Sequence, residues 1–148
     1  FAAAACIGPI LTNASIEIRD SLYNYGLHLG NAFQLIDDAL DYCSDAATLG
    51  KNIGDDLADG KATLPLIHAL QNGNATQQQQ IRESLMKGSL SHLPDILIAI
   101  EQTEAIPFTK RIAAQEVDSA LSALGILPDS VYKEALVDLA KFALERNY

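Results

Sequence analysis

From Asn13 onward, apolar residues recur three and four positions apart: Ile16, Leu22, Tyr23, Leu27, Phe33, Ile36 and Leu40. That is the period of an α-helix. With Asn13 as its cap, the pattern predicts one helix running to about Cys43. Gly26 and Gly30 lie inside it, four apart. A glycine there costs about 1 kcal/mol against alanine, so a closely packed helix neighbour is expected to offset the pair. The stretch from Ser44 to Lys61 carries no such period and holds Gly50, Gly54 and Gly60. It reads as a long loop with one short turn at most, and long ordered loops are more often functional than short ones.

The helical period then resumes. A helix is expected from Thr63 to Gln71, with Pro65 in its first turn and Gly73 and Asn74 ending it. Another runs from Thr76 to Lys87, stopped by Gly88, with Gln77 to Gln80 as a solvated face. Pro94 to Thr103 is expected to be entered through Ser91 as cap, and Ile106 to Leu124 to stop at Gly125. Pro128 opens the last helix, which reaches about Arg146 with Val131, Ala135, Leu139 and Phe142 on one face. The apolar start, Phe1 to Cys6, reads as a buried helix that lacks its first turns, and with no initial methionine the chain is expected to be cut from a longer one. The pattern predicts an all-α bundle of about six helices, with no internal repeat and no domain boundary.

Composition supports that class. The 148 residues are 49% hydrophobic, rich in the helix formers alanine and leucine, and contain no tryptophan. The net charge of -9 argues against a nucleic-acid partner and against a basic membrane-surface helix. It fits an acidic surface, or acids gathered to hold a cation. Cys6 and Cys43 are the only cysteines, no CxxC occurs, and the three histidines are well apart. A zinc site is not expected, and two isolated thiols suit a reducing compartment. Neither a signal peptide nor a transmembrane span is visible. The sequons at Asn13 and Asn74 read as chance matches.

The chemistry concentrates in Phe33-Gln34-Leu35-Ile36-Asp37-Asp38-Ala39-Leu40-Asp41. On a helix, positions three and four apart share a face, so Asp37, Asp38 and Asp41 form a stripe, with Gln34 one turn earlier. Like charges at that spacing repel, and a hard divalent cation would offset them. Mg²⁺ takes oxygen ligands and usually binds one or two carboxylates plus substrate phosphates. The plain alternative is a solvated acidic face. Downstream, Gly50 to Pro65 carries Lys51 and Lys61, two of only ten basic residues. Lysines are compact charges suited to diphosphate oxygens, and glycines let a loop close around a ligand. Asp55 to Gly60 resembles the start of an EF-hand, but Leu57 and Leu66 occupy the third and twelfth positions, so calcium binding of that kind is excluded.

The segment Tyr25 to Tyr42 resembles the second aspartate-rich motif of the trans-isoprenyl diphosphate synthases, particularly their polyprenyl (octaprenyl-type) branch, and Leu49 to Pro65 resembles the loop that follows it. The resemblance implies a partial isoprenoid-synthase-type bundle, with residues 1–148 as the C-terminal half of a polyprenyl synthase domain. It implies a Mg²⁺-dependent transferase that ionises an allylic diphosphate and alkylates isopentenyl diphosphate with the resulting carbocation. Asp37 would ligate Mg²⁺ directly, and Asp38 and Asp41 directly or through its waters. Gln34 would contact substrate or the metal's water shell, and Lys51 and Lys61 would bind the allylic diphosphate. Asp56 would stand behind the metal ligands. Phe33 would line the pocket near the reacting carbons or serve the apolar core. Arg146 resembles a basic residue near the family's C-terminus that approaches the site. The first aspartate-rich motif and the upstream basic segments of the family are not in these 148 residues, so the piece alone is expected to lack activity. The resemblance further implies a homodimer in the intact protein and a cytoplasmic location, with the mitochondrial matrix as the alternative.

The competing function is a non-catalytic partner subunit of a heteromeric synthase. Such subunits tend to lose acidic-motif residues, whereas Asp37, Asp38, Asp41, Lys51 and Lys61 are all in place. Metal binding needs ionised carboxylates, so affinity for Mg²⁺ and diphosphate is expected to weaken at mildly acidic pH.

Overall fold

The computed structural model describes residues 1–43 and 53–146. Among them lie eight α-helices and no strand: α1 (Ala2–Leu11), α2 (Ile16–Leu40), α3 (Asp55–Ala58), α4 (Leu64–Asn72), α5 (Ala75–Lys87), α6 (Leu93–Gln102), α7 (Ala105–Ala123) and α8 (Val131–Glu145). The chain divides into two compact units. The first comprises Phe1–Ile36 and Ile112–Arg146, and the second is centred on Asp37–Arg111.

In the first unit, α2 is long because its apolar stripe is unbroken. Its cap differs from expectation. Asn13 sits in the turn at φ 52°, and Ser15 takes the capping role, its Oγ accepting from the Ile18 N–H at 3.5 Å. The close neighbour expected of the glycine pair is α1. A Cβ on Gly26 would stand 2.8 Å from the Phe1 carbonyl oxygen and 2.9 Å from the Ala2 Cα. The core gathers Tyr25, Leu29 and Ala32 of α2 with Val117 and Ala120 of α7 and Ala140 and Ala143 of α8. Its buried polar groups are matched: Tyr25 Oη donates to the Leu136 carbonyl at 2.8 Å and Ser21 Oγ to that of Ala123 at 2.6 Å.

Two expectations for this unit change. The stripe Val131, Leu139 and Phe142 of α8 is exposed, and the small side chains Ala140 and Ala143 are buried instead. Close helix packing admits the smaller face. Phe1 of the apolar start is likewise exposed, as are Ile7, Ile10 and Leu11 of α1.

The second unit is built from short helices. α4 packs on α5 and α6, and α5 also packs on α3 and α6. Leu57, Leu66, Ala69, Ile81, Ile96 and Ala99 fill its core, each at most 1% exposed. Pro65 lies at the start of α4, as expected. α5 begins with a capping box: the Asn74 side chain accepts from the Gln77 N–H, and the Gln77 side chain accepts from the Asn74 N–H. Gln77 is therefore not part of a solvated face. It is buried, and its amide also donates to Gln102 Oε1 at 2.8 Å. Ser91 does not cap α6, because its backbone N–H and hydroxyl are engaged with Ser89 Oγ. Among the described residues, no helix is long and apolar enough to cross a membrane.

Candidate functional site

The stripe predicted from spacing lies at the C-terminal end of α2. Asp38 is buried, and Asp37 and Asp41 are partly buried. Asp41 falls just past the last regular residue, but its N–H still bonds the Asp37 carbonyl at 3.1 Å, so the helical register holds across the motif. Gln34, one turn earlier on α2, is exposed.

The returning chain reaches Asp41 twice. The Gly54 N–H donates to the Asp41 carbonyl at 3.0 Å, and the Asp56 N–H donates to Asp41 Oδ2 at 3.2 Å. Gly54 takes φ 84° there, a left-handed conformation that glycine adopts without steric cost. The link continues outward. Lys61 Nζ donates to Asp56 Oδ1 at 3.1 Å and pairs with Asp59 Oδ2 at 2.9 Å. Asp41, Asp56, Lys61 and Asp59 thus form a chain of polar contacts from helix end to loop.

The electrostatics follow from burial. Desolvation pushes the Asp41 carboxyl up to about 6; the Asp56 N–H opposes this, and the charges of Asp56 and Asp55 add to it. Lys61 is held above its ordinary range by its hydrogen bonds to Asp59 and then Asp56. Neighbouring carboxylates contribute to both shifts, as the lesser cause for Asp41 and the main one for Lys61.

That donor set fits a hard divalent cation. Every candidate ligand is an oxygen, and the half-buried Asp41 carboxylate would gain from a counter-charge. Among the described residues, no group of three or more His, Cys, Asp or Glu side chains is placed to hold a metal by itself. A cation here would take one or two carboxylates and complete its shell with phosphate oxygens and water.

The remaining candidates are distributed unevenly. Lys51 lies outside the described residues. Phe33 belongs to the first unit, where its ring packs against Phe1 at 5.3 Å between centroids and carries the Arg146 guanidinium 3.7 Å from its own. Phe33 is partly buried, and it lines a cleft with Phe1, Gly26, Gly30 and Gln34. Sequence reasoning missed the part of Asp59, because only the turn around Gly60 (φ 70°) brings it to Lys61. It also missed Tyr42 and Thr63. Their buried hydroxyls meet no partner in good hydrogen-bond geometry among the described residues. Tyr42 is pushed above the ordinary tyrosine range by burial.

Comparison with known proteins gives a consistent answer. The polyprenyl synthetase family model matches residues 1–98. The chain is 49% identical to an all-trans-nonaprenyl-diphosphate synthase (geranyl-diphosphate specific) of Rhodobacter capsulatus, over 88% of this chain and 40% of that protein. It is 46% identical to the octaprenyl diphosphate synthase of Escherichia coli K12, over 99% of this chain and 45% of the relative. A polyprenyl synthase of Caulobacter crescentus CB15, solved with calcium and isoprenyl diphosphate, superposes with a TM-score of 0.87 at 37% identity, covering 99% of this chain and 45% of that one. The chain therefore spans less than half the length of these relatives. With the family model matched over most of its residues, the chain belongs to the polyprenyl synthetase family.

Proposed function

We propose that the protein carrying this chain is a prenyltransferase that adds isopentenyl diphosphate to an allylic diphosphate, building a polyprenyl diphosphate. Residues 1–148 supply the C-terminal half of its synthase domain and do not turn over alone. The observation that carries this reading is the contact chain from Asp41 through Asp56 to Lys61 at the end of an aspartate stripe. It sets carboxylates for a cation and an ammonium for a phosphate on one continuous frame.

The cation that fits is Mg²⁺; bound, it supplies Lewis-acid charge to the departing diphosphate. Asp37, Asp38 and Asp41 hold it, directly or through water. The Asp56 N–H donates to Asp41 Oδ2 and would hold that carboxylate in place for the cation. Lys61 neutralises phosphate oxygens after exchanging Asp59 or Asp56 for them, and Lys51 binds the same diphosphate. Gln34 orients the substrate or the water around the cation, and Phe33 lines the hydrocarbon side. The intact protein works as a cytoplasmic homodimer.

The test is product formation by the intact protein from isopentenyl diphosphate and an allylic diphosphate with Mg²⁺. Asp38→Asn and Asp41→Asn should each lower kcat/KM by about a hundredfold or more, the scale seen when a group stabilising transition-state charge is removed. Full activity in both variants would overturn the assignment.

A further inference from the structure

The second unit holds a cleft apart from the carboxylate stripe. Its volume is about 460 Å³, within the roughly 300–1,000 Å³ of small-molecule sites. Ile53, Leu97, Ile100, Ile106, Pro107 and Tyr42 line it. Tyr42, only 6% exposed, has a hydroxyl that meets no partner in good hydrogen-bond geometry among the described residues. Among the described residues, the charged side chains on the lining are Glu101 and Glu104. Both are exposed, and neither carboxylate pairs with a described residue.

We propose that this cleft binds a small amphipathic cation, an alkyl or aryl ammonium whose hydrocarbon body fills the apolar interior while its charge sits by Glu101 and Glu104. Charge complementarity selects that class. Among the described residues, no lysine, arginine or histidine lines the cleft, so a diphosphate or a carboxylate would be repelled by Glu101 and Glu104. A neutral hydrocarbon would leave both carboxylates uncompensated. Glu104 opens α7, where a negative charge is favoured, but Glu101 lies in the last turn of α6, where the helix dipole opposes it. Glu104 is also held at φ 53°. That left-handed conformation costs a non-glycine residue about 1–2 kcal/mol, so a side chain is kept where glycine would be easier. A bound ammonium would relieve the unfavourable charge at Glu101 and give the strained Glu104 a partner.

The experiment is calorimetric titration of the intact protein with octyltrimethylammonium, octanol and octyl sulfate, each below its micelle concentration. The ammonium should bind at least about fivefold more tightly than octanol, as two exposed ion pairs allow, and octyl sulfate should bind most weakly. The surface double variant Glu101→Gln/Glu104→Gln should bring the ammonium down to the level of octanol. Ile106→Trp, which fills the cleft, should abolish binding of both, and Leu97→Trp serves if that variant does not fold. Equal binding of octyl sulfate and the ammonium would overturn the proposal. So would an ammonium preference that survives the double glutamine variant. Binding unchanged by either tryptophan would mark adsorption to an acidic surface and would overturn it as well. None of these outcomes touches Asp37, Asp38 or Asp41, so the prenyltransferase reading stands or falls separately.

Discussion

Tyr25 and Tyr42 show how differently the two units are built. Both are buried tyrosines, 2% and 6% exposed, and both are pushed up by desolvation, Tyr25 to about 12. In the first unit Tyr25 donates to the Leu136 carbonyl. In the second, the Tyr42 hydroxyl finds no good partner among the described residues, although Thr63 lies near enough to influence it. The same contrast holds for acids. Glu116 of the first unit meets His28 Nδ1 at 2.9 Å and the Asn31 amide at 3.0 Å, and its carboxyl is lowered. Burial acts against that lowering, and the bonds to His28 and Asn31 outweigh it. Asp41 of the second unit is raised. At these positions the first unit meets its polar groups from within, whereas the second leaves the Tyr42 hydroxyl without a good partner and the Asp41 carboxyl raised. Satisfied polar groups stabilise, whereas unsatisfied ones cost stability and are kept where they do chemistry.

The largest effect that would sharpen this contrast is in the first unit. Gly26→Val should cost about 3 kcal/mol in chemical denaturation, because overpacking meets backbone and not a movable side chain. Gly8→Ala, where a Cβ meets nothing within 4 Å outside its chain neighbours, should cost less than about 1 kcal/mol, the neighbouring Pro9 offsetting the gain in helix propensity. Next, Tyr25→Phe should cost about 1 kcal/mol by removing the bond to the Leu136 carbonyl, while Tyr42→Phe should cost nothing or stabilise by up to about 1 kcal/mol. Equal losses for the two tyrosines would break the comparison.

Smaller effects appear as opposite responses to acid. Asp41 is raised from 3.8 to about 6, so the folded state binds the extra proton between those values. Its ionisation opposes folding, and this contribution should grow more favourable as pH falls from above 6 toward 4 without a cation. Asp41→Asn should flatten that slope in denaturation curves taken at several pH values. With Mg²⁺ and diphosphate present the sign reverses, and affinity should fall below about pH 6. Glu116 is lowered below 4.5, so its contribution is complete above 4.5 and is lost as pH falls through the folded value. Glu116→Gln should remove that loss, a change of a few tenths of a kcal/mol for a pair this exposed. A wild-type curve identical to both variants would show that neither group is tuned as described.

The all-α class and most helix spans were legible because α2, α4, α5 and α7 carry the 3.6-residue period plainly. The aspartate stripe was legible for the same reason. The faces of α8 were not: the pattern favoured the large residues Leu139 and Phe142, while packing buried Ala140 and Ala143. Local signals also missed that the chain from Gly54 to Lys61 folds back onto Asp41, since the bond from the Asp56 N–H to the Asp41 carboxylate spans 15 residues. Nothing in the pattern of Asp59, Gly60 and Lys61 told which acid would claim the lysine. Such pairings are decided by loop closure, not by periodicity.

The close approach of α1 to Gly26 also constrains how this gene can change. Every single-base missense change in a glycine codon introduces at least a Cβ. At Gly26 that atom would meet the Phe1 carbonyl oxygen and the Ala2 Cα, which are main-chain atoms present whatever side chains α1 carries. No second substitution on α1 can therefore make room. Repair would require moving the whole helix, so the position is closed to neutral drift and to pairwise compensation alike.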